Sequence, residues 1–528
     1  MHGRRNSGKL RLWGLLALLV LAFAAIAAGC GDDDEDGGDA TTAAAPPTSA
    51  AEPTTAAATT EAATDTAATD TAATDTAATD TGATDTAATD TAATDTAAAT
   101  GSTDTTPIKI GILTDCEGAF ASFYEATVGG AQIALIQRGA TKAGEKPTDG
   151  LENASVAGRP IEITGYGCSD DTADKAIEEV RRLVEQLGSE IVIGPLSGDE
   201  GIAVANYALE HPEVTFVNGS AGAQDATLKV GAENFFRFNA DGAQMNAGLG
   251  DYAYNTLGWR TAAVIGDDYS FPYTSLAGFI AEFCALGGSV ESRVWPALGE
   301  TDYSSFISQI PEDVDGVMVG IGGSGLITFI KQYEQARGKI EGDKFMGNVF
   351  WPDPLVLAEI GEQLEGGVAG SPTAGDSTEE AAVAWSELVD STYPVEGVQG
   401  TASSIFTYTY WANMDATLQA LEQVGADLSD GHAAFREALA GVTVKGGYGD
   451  ITLDENRQAV LDNYVQQVVK TDDGYGVKTI LRIPGVEQTF GGAFTADTPP
   501  PDRENPECKP LETPLPWVGN AEELNYGG

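Results

Sequence analysis

Six short segments concentrate the side chains that could do chemistry: 115–122 (DCEGAFAS), 194–201 (GPLSGDEG), 218–225 (NGSAGAQD), 266–273 (GDDYSFPY), 322–325 (GGSG) and 350–354 (FWPDP). Together they carry Asp115, Glu117, Asp199, Glu200, Asp225, Asp267, Asp268 and Asp353, and no Lys or Arg. A dianion such as a phosphate ester or dicarboxylate calls for Arg or Lys forks. A site built from these segments therefore suits a zwitterionic, cationic or neutral molecule. Phe120, Tyr269, Phe271 and Trp351 offer ring faces, from which a cation would gain on the order of 0.5–2 kcal/mol. Packing between elements is the competing use for each ring, and helix capping the competing use for the acids, Asp199 and Asp225 first.

Two segments resemble catalytic motifs. VGIGGSG at 319–325 reads GxGxxG between a strand-like run and a helix-like one, with Glu341 about twenty residues on, the pattern of a dinucleotide site. NGSAG resembles a nucleophile elbow, but Asn218 stands where the first glycine belongs. Beyond His2 there are only His211 and His432, both at expected helix ends, so a Ser/His pair is not expected. No CxxC or Cys/His spacing suggests a metal, and no cofactor is expected.

The elements that must position these segments repeat one unit. Residues 108–113 are a short apolar, β-branched run, fit for a buried strand. From Ala119 the apolar residues Phe120, Tyr124, Val128, Ala131 and Leu135 recur at helical spacing, and Gly139 closes the helix. Strand, loop and helix recur at 161–166 with a helix over 172–187, at 191–193 with a helix over 200–209, and at 214–217; 235–238 is a further short strand. A second series runs through 262–265, 290–295, 316–321 and a helix ending near 337, with a short helix expected over 303–310. Such units form parallel sheets whose ligand sites lie at the carboxyl ends of the strands. Two successive series imply two Rossmann-like lobes.

The preceding residues are of another kind. A basic start (Arg4, Arg5, Lys9, Arg11), an apolar run over 12–26 and small residues up to Cys30 read as a secretory signal over 1–29. Residues 31–106 lack Lys and Arg, open with DDDED and repeat TDTAA every five residues. With few large apolar groups to bury, 30–106 is expected to be a disordered acidic tether. Asp and Glu number 79 against 28 Lys and Arg, a net charge of −51. That balance makes nucleic acid and anionic membrane surfaces poor partners. Four cysteines follow Cys30, and in an exported chain they read as two disulfides with three possible pairings. Cys116 and Cys168 each follow one of two neighbouring parallel strands, which favours their pairing; Cys284 with Cys508 follows by elimination, pinning the Pro-rich tail 499–528 to the second lobe.

The order IKIGILTD, GAFAS, IVIGPLSG, VTFVNGSAGAQDAT, FFRFN, AAVIGDDYSFP, DGVMVGIGGSG resembles the type I solute-binding proteins of ABC importers, the leucine/isoleucine/valine-binding group, across roughly 107–485. The resemblance implies an α/β fold of two lobes joined by a three-segment hinge: 107–240 plus 370–446 as N-terminal lobe, 241–369 plus 447–498 as C-terminal lobe. AAIAAGC resembles a bacterial lipoprotein signal, with Ala27 where Leu is usual, and implies lipidation of Cys30 at the extracytoplasmic face of the cell membrane. The implied site draws on Phe120, Ala121 and Ser122; Ser197 and Gly198; Ser220, Ala221 and Gly222; Tyr269, Phe271, Ser324 and Trp351. Gly222 replaces a usual Thr, and GGSG lacks the acid that amino-acid binders carry there. The implied function is capture of a small amino acid, amide or related amine between the lobes by a monomer, which delivers it to permease subunits. A sensor of the same fold acting through a signalling partner is the alternative. An enzyme is not expected, because the resemblance makes VGIGGSG a cleft loop.

Overall fold

The run IKIGILTD forms the strand Ile108–Asp115 in a computed structural model that describes residues 105–398, 400–511 and 514–526. The signal-like segment, Cys30 and the repeat up to residue 104 lie outside the described residues. Ile108–Asp115 is third in a sheet ordered Ser155–Val156, Arg159–Ser169, Ile108–Asp115, Ile191–Ile193, Thr215–Val217, Phe235–Phe236. All pairs are parallel except the first. IVI, TFV and FF are wholly buried, as continuous apolar strands must be when helices cover both faces of a sheet.

The second sheet begins with Ser289–Val294, Thr261–Gly266, Gly316–Gly320, Phe345–Gly347 and Val368–Ser371, all parallel. Ala459–Thr471 then joins antiparallel, followed by Gly449–Leu453 and Val444–Gly446. The two sheets are the cores of two α/β lobes. Among the described residues no helix is long and apolar enough to cross a membrane.

Helix Tyr124–Ile136 is apolar nearly all round, which marks a helix buried on every side. One side lies on helix Ile405–Gln423, itself almost wholly buried. The approach depends on Gly130, where a Cβ would stand 2.2 Å from the Thr407 carbonyl oxygen. Tyr410 of the same long helix donates to Leu113 O at 2.7 Å, joining it to the first strand.

Several elements differ from expectation. Beyond the expected strands the chain adds a hairpin, Ala459–Thr471 with Gly474–Val486, to which Glu522–Glu523 pairs. The helix expected over 303–310 is one turn, Ser304–Ile307. FWPDP, read as loop, starts helix Pro354–Leu364: Pro354 takes the first turn and Asp353 caps it by accepting from Leu355 N at 2.9 Å. Helix Glu380–Thr392 had no counterpart in the reading. Both expected disulfides are present, Cys116–Cys168 and Cys284–Cys508.

Gly130→Ala should therefore cost about 1–3 kcal/mol through overpacking against a backbone that cannot swing aside. A lowered urea midpoint with an unchanged slope is the expected reading; an unchanged midpoint would mean that the two helices separate freely.

Candidate functional site

Each expected loop is held by its own strand and by a neighbour. After Ile108–Asp115, Cys116 N and Glu117 N donate to Ser169 O at 3.1 and 3.2 Å, and Cys116–Cys168 ties the same two strand ends. Ala119 N donates to Asp171 Oδ2 at 2.5 Å, which sets Phe120 at the turn before Ala121–Phe123. GPLSG and NGSAG are joined directly, since Ser220 N and Ala221 N both donate to Pro195 O, at 3.1 and 3.3 Å. Behind them the buried Arg237 guanidinium donates to Ala223 O at 2.6 Å and Ala221 O at 3.3 Å. In the second lobe the strand Thr261–Gly266 delivers Tyr269 to the start of helix Ser270–Ala285.

These loops meet around a cavity of about 20 Å³, little more than room for one water. From the expected set it is lined by Phe120, Ser197, Gly198, Ser220, Gly222, Tyr269 and Phe271. Leu196, Met245, Val349, Phe350, Ile405 and Phe406 complete the wall, and sequence reasoning missed all six. Phe120 stacks on Phe350 with ring centres 5.4 Å apart and planes at 8°, while Phe271 meets Phe350 edge-on at 6.0 Å. Among the described residues neither Ser197 Oγ nor Ser220 Oγ has a hydrogen-bond partner, though both are buried.

The remaining expected residues lie elsewhere. Trp351 does not line the cavity. Its indole is packed inside the second lobe, where a Cβ on Gly347 would be 2.0 Å from its Cγ and one on Gly367 2.5 Å from its Cζ3. Successive side chains point apart here, and Phe350 is the ring that faces the cleft. Ala221 is buried against Gly201, Ala121 is half-buried, and the Ser122 and Ser324 side chains are exposed. Ser324 contributes its backbone, donating to Ala119 O across the lobes at 3.2 Å. Asp199, expected only as a cap, accepts from Ser270 N at 3.1 Å and so also joins the lobes.

Two glycines permit this approach. A Cβ on Gly222 would sit 2.7 Å from the Phe271 ring, and one on Gly198 would sit 2.7 Å from Ser270 Oγ. The hydroxyl that a Thr would bring at 222 is thus excluded by Phe271. The GxGxxG segment is occupied in the same way: Gly322 N donates to Asp267 Oδ2 at 2.9 Å, and the Phe350 ring stands where a Gly322 side chain would go. A carboxylate already on that amide opposes a pyrophosphate. His211 and His432 take helix-end positions, His432 Nδ1 lying 3.0 Å from Thr215 Oγ1.

Acids gather beneath the rings. Burial pushes the Asp115 carboxyl well up, and the neighbouring Glu200 and Asp171 push it further. Burial likewise raises Asp171, takes Glu200 to about 7 and lifts Asp267 well above its ordinary range, against the Gly322 N–H that favours its charge. Burial and then Asp267, Asp171, Asp199 and Asp115 raise the Tyr269 phenol. Asp115, Asp171 and Glu200 come from the first lobe and Asp267 from the second, so where the lobes meet, neighbouring carboxyls disfavour one another's charge.

A sequence model described as periplasmic binding protein matches residues 107–474. No curated protein sequence matches the chain. Among solved structures, an ABC transporter substrate-binding protein from Sphaerobacter thermophilus superposes with a TM-score of 0.62 at 24% identity, covering 72% of this chain and 99% of its own. A solute-binding protein of an ABC transporter from R. palustris, in complex with benzoate, gives 0.62 at 20% identity, covering 72% and 97%. A leucine binding protein, LivK, from Thermotoga maritima gives 0.59 at 20%, covering 71% and 99%. At these identities the likeness establishes the fold.

The carboxyl cluster predicts a direction for stability against pH. An unfolded glutamate ionises at its ordinary 4.5, and Glu200 in the fold at about 7. Between those values the folded protein keeps a proton that the unfolded chain has released. The stability this site contributes is complete at the acid end and is lost as the pH rises through 7, by at most about 1.4 kcal/mol per pH unit for one proton. Urea midpoints should fall from pH 4.5 to about 8, and Glu200→Gln should flatten the fall; midpoints that climb would mean that the cluster is ionised.

Proposed function

This chain belongs to the periplasmic binding protein family, and from that premise we propose that it captures a small zwitterionic, cationic or neutral solute between its lobes and hands it to an ABC importer. The observation that carries the reading is the pairing, in one closed cleft, of two buried unpartnered hydroxyls, Ser197 and Ser220, with the rings of Phe120, Tyr269, Phe271, Phe350 and Phe406. The hydroxyls and the N-terminus of helix Gly198–Glu210 suit a carboxylate or another polar head, and the rings suit an apolar body. None of the residues lining the cavity is basic. Cys30 serves as the lipid anchor and 30–106 as the tether that holds the receptor at the extracytoplasmic face of the membrane.

Closure is the mechanism. The solute touches both lobes only when they meet, so it binds the closed state better and shifts that population. Ser270 N to Asp199 and Ser324 N to Ala119 O are bonds of the closed state that add to the same shift. No covalent step is required. The stacked pair Phe120 and Phe350, together with the benzoate complex of one structural neighbour, favours a second ligand class, an aromatic monocarboxylate whose charge is met by hydroxyls and backbone N–H groups.

The test is a thermal-shift screen of the full chain against amino acids, amides, polyamines, aromatic monocarboxylates and dicarboxylates. A ligand at a hundred times its dissociation constant adds about 2.7 kcal/mol, a readable shift. Hits are expected among amino acids, amines or aromatic monocarboxylates, and Ser197→Ala with Ser220→Ala should weaken binding of the hit about tenfold, the scale of one or two lost hydrogen bonds. If dicarboxylates or phosphate esters alone stabilise the protein, the charge reading of the cleft is wrong.

A further inference from the structure

The family match ends at residue 474, yet the chain continues through a tail that returns to the mouth of the cleft. Arg503 reaches Asp268 with two guanidinium nitrogens, Nε at 2.7 Å, and Tyr273 Oη also contacts that carboxylate. Asp268 immediately precedes Tyr269, a wall of the cleft, and lies two residues before Ser270, whose amide bonds to Asp199 of the other lobe. The tail segment is itself held: Trp295 Nε1 donates to Arg503 O at 3.3 Å, and Arg293 donates to Glu504 O and Pro506 O at 2.6 and 2.7 Å. Further along, Cys508 is bridged to Cys284 at the far end of helix Ser270–Ala285, and Trp517 Nε1 donates to the buried Glu282 of that helix at 2.6 Å. The tail is thus a strap along the helix that begins at the cleft, fastened at its start, at its end and near its end.

We propose that this strap is part of the binding apparatus, with Arg503 a positioning residue that, through Asp268, orients Tyr269 and Phe271 and so tunes lobe closure and the shape of the second-lobe wall. An exposed ion pair contributes little to global stability. A two-point Arg–carboxylate contact nonetheless fixes orientation, and here the carboxylate also faces Tyr273. The expected effect is therefore local geometry at the cleft rather than unfolding. The inference rests on the cleft being the ligand site, and its test requires no ligand, so the two readings fail separately.

The experiment compares full-chain wild type with Arg503→Ala and Arg503→Lys by hydrogen exchange, and by the distance between spin labels on Glu152→Cys in the first lobe and Lys344→Cys in the second. In Arg503→Ala, amides over 266–273 should exchange at least tenfold faster while those of Ile191–Ile193 and of residues 261–265 stay unchanged, and the closed fraction should fall. Arg503→Lys keeps the charge without the fork and should recover only part of both. Unchanged exchange over 266–273 with an unchanged label distance overturns the proposal. So does faster exchange throughout the second lobe, which would make the strap a general staple.

Discussion

One buried cation holds the loop that carries Ser220 to two distant stretches of the chain. Arg237 has no exposed surface, and burial lowers its pKa to about 10 against the pull of Asp241. A buried guanidinium costs several kcal/mol unless its donors are met. Here they are: Ala221 O, Ala223 O, Thr227 Oγ1 and Gln458 Oε1 all accept from it, and the Asp241 carboxylate lies 3.9 Å away. Its own amide donates to Arg457 O at 3.0 Å. Gln458 goes on to Asn239 O and Gln244 Oε1, and Asn413 reaches Gly219 O and Asn239 Oδ1. Two stretches far apart in the chain, 237–241 and 457–458, are therefore locked to the loop that carries Ser220.

From that anchored loop the character of the cleft follows. Ser220 is held in place with its hydroxyl unsatisfied, a cost that a ligand donor or acceptor would relieve. Beside it, glycine at 198 and 222 lets Ser270 and Phe271 of the other lobe come within contact, and the rings close over the remaining space. Apolar closure and carboxyl crowding oppose each other. Burying the rings favours the closed arrangement, whereas bringing Asp267 toward Asp171 disfavours it whenever both are ionised. A cationic group or a bound proton would shift that balance toward closure.

Much of this was legible from residue order. The strands IKIGIL, IVI and TFV, the loops after them and both disulfides follow from apolar runs, punctuation and the parallel neighbours such runs imply. Less legible were elements whose signal is weak or mixed. The hairpin Ala459–Thr471 with Gly474–Val486 carries Asp462, Lys478 and Arg482 at partly or fully exposed positions among its apolar residues, which breaks up the apolar run that marks a strand. Asp353–Pro354 is a helix start that aromatic neighbours disguised as a binding loop. Phe406 opens a helix more than fifty positions from Phe350 and could not be assigned to the same wall by periodicity.

What the sequence by itself determined is the set of local choices: where strands end, where helices cap, which loops carry hydroxyls and acids, and that no base is among them. These depend on neighbours a few residues away, so they are written in consecutive positions. Only the tertiary structure decided which of two adjacent rings, Phe350 or Trp351, faces the cleft, that Asp199 bonds across to Ser270, and that Arg503 reaches back to Asp268. Each of these depends on the distance between segments far apart in the chain, set by how two lobes and a tail pack, and no local pattern encodes that distance.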